Sequence, residues 1–208
     1  MASRRQPTAE RRRQIAEAAL RIIGYKGIRR LTAAEIGREV GIADATVFRH
    51  FRNKHEIVLA AIDRLHELLF EGFPPDEADP IERLKSFFMD RLAMSRARPE
   101  LVQFTLNYRL AEAAGVEGLT KAFAVMERQA GFVESCIAEA QAQGLIHQAF
   151  AVRPLALIFL SSLHATAYAQ FKSCSRIPVD PQTVWDTMEL LLRGAAIPAA
   201  ARRRHTTG

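Results

Sequence analysis

The 208-residue chain carries 29 Lys and Arg against 23 Asp and Glu, a net charge of +6, and about half of its residues are apolar, enough for a sizeable core. No apolar run is long enough to span a bilayer, the nearest being Pro154 to Leu163, and MASRRQPTAERRR has no apolar stretch after its charges, so no secretory signal is expected. Cys136 and Cys174 have neither metal-site nor disulfide-framework spacing and read as reduced residues of a cytosolic protein, a redox role for Cys174 having no support.

The charge is uneven. Residues 1–55 hold 13 Lys and Arg against 5 Asp and Glu, a net of +8, and the remainder is slightly acidic at −2. That asymmetry fits a polyanion-binding module on a nearly neutral body. A solubilising basic tail is the competing reading, and an organellar transit peptide a weaker one. Both are opposed by the way the charges run on into patterned helices.

Helical periodicity dominates in chain order. Ile15, Ala18, Ala19 and Ile22 form one stripe on a first helix from about Glu10 to Gly24, stopped by GYKG. Thr32 caps a second helix, with Glu35 completing a capping box, Ile36 and Val40 as its buried pair, and Gly41 as its end. A third starts near Ala43 or Asp44, with Asp44 as cap, and runs to about Arg52. Lys54 opens a fourth, with Val58, Ala61, Ile62, Leu65 and Leu69 as its stripe and EGFPP as its break. Five more follow: Ile81 to Arg98, Pro99 to Ala114, Gly118 to Gln143, Pro154 to Lys172, and Pro181 to Ala195 capped by Asp180. No stretch alternates at period two. The expected fold is all-α, about nine helices, with a disordered basic arm over 1–9, a helix-turn-helix module over 10–55, a helical body over 56–196 and a disordered tail over 197–208.

Within GIADATVFRHF, Val47 and Phe51 share one face a turn apart, and Ala45 and Arg49 point the opposite way. A short helix docked by two apolar residues after a Gly-Ile-Ala turn is a helix-turn-helix, whose second helix enters the major groove. Ala45 permits close approach. Thr46 can meet a phosphate, a base or a thymine methyl, and Arg49 can reach guanine in a bidentate fork.

The run Thr32-Ala-Ala-Glu-Ile-Gly, then Gly41-Ile42, Thr46-Val-Phe-Arg-His-Phe and Asn53-Lys54 resembles the DNA-binding signature of TetR-type transcriptional regulators, over roughly residues 10–60. The chain departs from that pattern at Phe48, where the family usually has Tyr with a phosphate-bonding hydroxyl. It departs also at Gly37, where Ala is usual and Gly costs about 1 kcal/mol in a helix, and at Ala45, which replaces a frequent Gly or Pro.

By that resemblance Thr32, Ala34, Asp44, Ala45, Thr46, Phe48, Arg49, His50 and Lys54 lie at positions facing DNA. The physics agrees in part: Lys54 opens a helix, where its charge and free backbone N–H groups can both meet a phosphate. Asp44, acidic beside a polyanion, fits capping better than base contact. For His50, phosphate contact and an ordinary interface role remain open. Arg4, Arg5, Arg11, Arg12 and Arg13 are expected to track the DNA backbone or minor groove, or to be a solvated tail.

Most aromatic residues of the body read as core. The resemblance implies a ligand pocket there, and Phe88, Phe104, Asn107, Tyr108, Gln129, His164 and Tyr168 are its candidates. His164 is equally explained by helix packing across a dimer. Small residues among large ones in LALIFLSSLHATAYA, and an apolar face in VWDTMELLLRG, suggest that Ala165, Val184, Met188 and Leu191 meet a second copy, as the last two helices do in the family.

The implied function is a cytoplasmic, ligand-responsive regulator, a repressor that binds palindromic double-stranded DNA as a homodimer and is released by a small, largely apolar effector. The fourth helix, from Lys54 to Phe70 and Phe73, is expected to be the only element touching both module and body. A ligand-independent architectural DNA-binding protein is the alternative. Nothing in the sequence supports an enzyme, a cofactor or a metal site.

Overall fold

The structure, a computed structural model, describes residues 8–101, 114–171 and 179–193. These form eight α-helices and one 3-10 turn, with no strand among them: α1 Thr8–Lys26, the turn Ile28–Arg30, α2 Ala33–Val40, α3 Asp44–His50, α4 Lys54–Leu69, α5 Pro80–Ala97, α6 Gly115–Ala142, α7 Val152–Phe171 and α8 Pro181–Arg193. The all-α expectation is met. Most of the expected helix from Pro99 to Ala114 lies outside the described residues. No described helix is long and apolar enough to cross a membrane.

The helices group into two compact units, Met1–Phe73 with Ala93–Arg128, and Pro74–Leu92 with Gln129–Gly208. In the first, the α1 stripe Ile15, Ala18, Ala19 and Ile22 is fully buried against the α4 stripe Val58, Ala61, Ile62, Leu65 and Leu69. Ile36 of α2, with Val47 and Phe51, closes the same core, each such side chain stabilising the fold by about 1.5–3 kcal/mol. Val40, expected as the partner of Ile36, is only partly buried. Leu101, Ala114 and Val125 join this cluster.

The end of α1 also touches the body. A Cβ on Gly24 would stand 2.6 Å from the Glu100 Cβ and 2.8 Å from its Cα. The Tyr25 hydroxyl donates to the buried Glu100 carboxylate at 3.3 Å. The expectation that α4 alone links module and body is therefore corrected. It failed because a glycine that ends a helix and a glycine that admits a neighbouring backbone read alike in sequence.

In the second unit Phe88 is fully buried, 6.0 Å from the ring of Phe159 and 6.0 Å from that of Trp185. Phe87 lies 5.3 Å from Phe132. Val133, Ile137, Leu163, Met188 and Leu192 fill the rest. Cys136 is buried there too, and that burial pushes its thiol up to about 11, so it is no nucleophile at neutral pH. Cys174 lies outside the described residues.

Candidate DNA-reading surface

The turn between α2 and α3 is built from its caps. Thr32 Oγ1 accepts from the Glu35 amide at 3.1 Å, one half of the expected capping box. The other half is replaced: the Glu35 carboxylate is taken by Lys26 and Arg38, and the Lys26 bond chiefly holds that carboxyl below its ordinary range. Gly41 ends α2 in the left-handed region, at φ +73°. Gly37 accounts for its departure from the usual Ala. A Cβ there would meet the Ile42 carbonyl oxygen at 2.6 Å and the Asp44 amide at 3.3 Å. The chain leaving α2 folds directly over Gly37, whose carbonyl accepts from the Ile42 amide at 2.9 Å.

Val47 is fully buried and Phe51 nearly so, which fixes the opposite face of α3 outward. That outward face carries exposed Ala45, Phe48 and Arg49, with Thr46 half-buried beside them. Arg49 Nη2 donates to Thr46 Oγ1 at 3.3 Å, so the hydroxyl steers the guanidinium. Phe48 is 57% exposed, an apolar ring in water with nothing to offer a phosphate oxygen. Asp44 does not cap α3. The N-cap is Ala43, without a side-chain bond, and Asp44 Oδ1 accepts from the next amide, Ala45, at 2.7 Å. Asp44 occupies the first helical position, one residue too late to reach the amides that a cap serves.

Ala34 and Thr32 are exposed at the start of α2. Lys54 is exposed at the start of α4, where Asn53 Oδ1 accepts from the Glu56 amide at 2.9 Å and Glu56 Oε2 accepts from the Arg52 amide at 2.9 Å. Lys54 Nζ donates to the Ile28 carbonyl at 2.9 Å. That bond pins the 3-10 turn to α4 and leaves two of its three donors. His50 is half-buried and its Nδ1 is buried without a hydrogen-bond partner. Burial first, then the charges of Arg49, Arg11 and Arg12, holds its imidazole below the ordinary histidine range.

Three of the five arginines expected to form an arm are helical instead. Arg11, Arg12 and Arg13 belong to α1, and Arg13 pairs with Glu17 at 3.6 Å. Arg12 stacks 4.1 Å over the Phe51 ring, and its Nη1 donates to the His50 carbonyl. Arg4 and Arg5 lie outside the described residues. Sequence reasoning counted Arg29 and Arg30 only as charge. The structure sets both, exposed, on the 3-10 turn that leads into Thr32. Two arginines separated from a capping threonine by Leu31 alone were the available signal.

The pocket and dimer candidates separate. Phe88 belongs to the core of the second unit, Gln129 is buried and Tyr168 is exposed. His164 is half-buried, and its burial holds the imidazole below the ordinary range. Phe104, Asn107 and Tyr108 lie outside the described residues. On α7 and α8, Leu157 and Leu191 are 66% and 67% exposed, and Ile158, Leu190 and Ala165 are exposed with them. Ile158, Ser162, Val184 and Leu191 line a groove of about 260 Å³ between the two helices. Val184 is partly buried and Met188 is buried against its own chain.

Two short helices joined by a tight turn, packed on a third and presenting a Thr/Arg face outward, define a helix-turn-helix module. Residues 15–61 match the family model described as bacterial regulatory proteins, tetR family. It is similar to the HTH-type transcriptional regulator TtgR of Pseudomonas putida, 36% identical over 84 residues that cover 38% of this chain and 40% of that protein. The chain thus spans well under two thirds of that relative. In fold it resembles AibR in complex with isovaleryl coenzyme A and operator DNA, with a TM-score of 0.70 at 22% identity over 88% of this chain and 97% of that one. It also resembles FadR of Bacillus subtilis in complex with stearoyl-CoA, with a TM-score of 0.68 at 18% identity over 88% and 98%.

Proposed function

We propose that this chain is a cytoplasmic, ligand-responsive transcriptional repressor that binds a palindromic operator as a homodimer. The observation that carries the reading is the outward face of α3: Ala45 and Arg49 are exposed, with Thr46 half-buried beside them, while Val47 and Phe51 are locked in the core. A recognition helix so held can present Thr46 and Arg49 to base edges, with Thr32, Lys54 and His50 on flanking phosphates. The uncovered apolar face of α7 and α8 supports a second copy, which would place two such helices on two half-sites. The domain limits 10–55 and 56–196 go with this reading.

The effector is proposed to be small and largely apolar, held in the body by residues that include Gln129, His164 and Tyr168. Support for a bound effector comes from two proteins of similar fold, one with isovaleryl coenzyme A and one with stearoyl-CoA, of which only the acyl part is apolar. The test is a selection of bound duplexes from a random library, followed by titration of the complex with apolar metabolites and acyl thioesters. The expected result is a two-fold symmetric site and at least one compound that releases it. By reciprocity that compound binds more weakly when DNA is present. A symmetric site that no compound releases would favour the ligand-independent architectural reading, and no selected site at all would overturn DNA recognition.

A further inference from the structure

At seven residues α3 is the shortest of the described α-helices, well below the length at which an isolated helix holds together in water. Its N-cap, Ala43, makes no side-chain bond. The support comes instead at its other end and from another element. The carbonyl of His50, the last helical residue, accepts from Arg12 Nη1, 38 residues earlier in α1. The Cζ of the same guanidinium lies over the Phe51 ring, 4.1 Å from its centroid, and that ring anchors α3 in the core. One rigid cation thus meets a carbonyl and a ring at once, a combination that a compact ammonium reproduces poorly. The cation also sits at the negative end of the helix dipole.

We propose that Arg12 is a positioning residue: it clamps the carboxyl end of α3 to α1 and so sets the angle at which Thr46 and Arg49 are presented, and it does not serve as a phosphate contact. This rests on the DNA-reading proposal above. The lever is short. Arg49 precedes the clamped carbonyl by one residue, and Thr46 is one turn further back. A small tilt at His50 is therefore carried directly to the side chains that would read bases, while phosphate contacts made from α2 and α4 are left where they are.

Positioning and phosphate contact give opposite signatures. The full-length protein, Arg12→Met and Arg12→Lys are compared on the duplex selected from the random library and on a scrambled duplex, across a salt series. The methionine stem still covers Phe51 but has neither charge nor donor. It is expected to lose on the order of tenfold in affinity for the selected duplex, the scale of one charge-assisted hydrogen bond. Affinity for the scrambled duplex, and the salt slope on both, are expected to hold. Lysine, which can donate to the carbonyl but not stack, is expected to recover part of the specificity.

Equal weakening on both duplexes, with the slope shallower by about 0.9 for each phosphate no longer neutralised, would make Arg12 a phosphate contact and overturn the proposal. Unchanged specificity in both variants would overturn it too. Circular dichroism reports whether Arg12→Met is folded. If it is not, Arg12→Lys decides alone: partial loss of specificity at an unchanged slope supports positioning, and full specificity removes it. A wild-type protein that discriminates no duplex would sink the DNA-reading proposal first, and would be recognised by that failure.

Discussion

Two surfaces of this chain stand uncovered and are chemically opposite. α3 turns Ala45, Thr46 and Arg49 outward around a single exposed ring, Phe48, and water solvates most of that face well. α7 and α8 turn out Leu157, Ile158, Leu190 and Leu191, which water solvates poorly. Apolar surface left in water costs about 25 cal/mol per Å² relative to burial, so the second face gains from any cover, whereas the first gains only from a partner of the right charge and hydrogen-bonding pattern. One surface therefore selects and the other merely associates. A reader of sequence-specific sites needs both kinds, on different elements.

The sharpest way to break the comparison is to give the associating surface a charge. Leu191→Glu or Ala165→Glu would have to bury a carboxylate in the proposed interface. The expected result is a monomer by light scattering and a loss of about 100-fold or more in affinity for a palindromic duplex, because the second half-site then binds as a separate event. A dimer that survived both substitutions would place the interface elsewhere.

Substitutions on the selecting surface should be smaller and should differ in kind. Arg49→Ala is expected to cost about 1–3 kcal/mol and to relax the preference at one position of each half-site. Lys54→Ala should weaken every duplex alike and make the salt slope shallower by about 1 per subunit. If a library selection with Arg49→Ala returned the wild-type motif, Arg49 would not be a base reader.

Gly37→Ala probes the frame beneath that surface. The added methyl gains roughly 1 kcal/mol of helix propensity but meets backbone, the Ile42 carbonyl, at 2.6 Å. Overpacking of that kind costs about 1–3 kcal/mol, so the melting temperature is expected to fall by a few degrees. A rise would mean that the turn gives way more easily than its closeness suggests.

The smallest effect is a pH dependence. His50 titrates below its unfolded value in the folded chain, so its share of stability is fully present above about pH 6.5 and is lost as the pH falls toward the folded value. Comparing melting at neutral and mildly acidic pH should show a shallower acid loss in His50→Gln than in the wild type. The depressed His164 contributes equally to both and cancels. Parallel profiles would remove His50 from the account.

The periodic parts of the fold were legible. The α1 and α4 stripes, the Val47–Phe51 anchor, the Thr32 cap and the left-handed Gly41 follow from helical spacing and local capping chemistry, both read within a few residues. What was misread depends on contacts between distant segments. Arg12 looked like a free cation because nothing near it in sequence announces the His50 carbonyl or the Phe51 ring. Glu35 was given to a capping box, although Lys26 and Arg38 claim its carboxylate. Asp44 was placed one residue early, an error within the ordinary uncertainty of a helix start. Gly37 was read as a cost because the chain that crosses it comes from the following turn.

The contact between Gly24 and Glu100 bears on modularity. A helix-turn-helix is commonly treated as a cassette that can be transplanted onto a new sensor. Here the end of α1 is shaped around a particular neighbour: a glycine with no room for a side chain, a tyrosine donating to a buried carboxylate, and Leu101, Ala114 and Val125 completing the same apolar cluster. A graft cut at residue 73 would expose that socket to solvent and leave Tyr25 without its acceptor. A chimera that carries residues 93–128 along with the reader keeps the seam closed, and that longer piece is the natural unit of exchange.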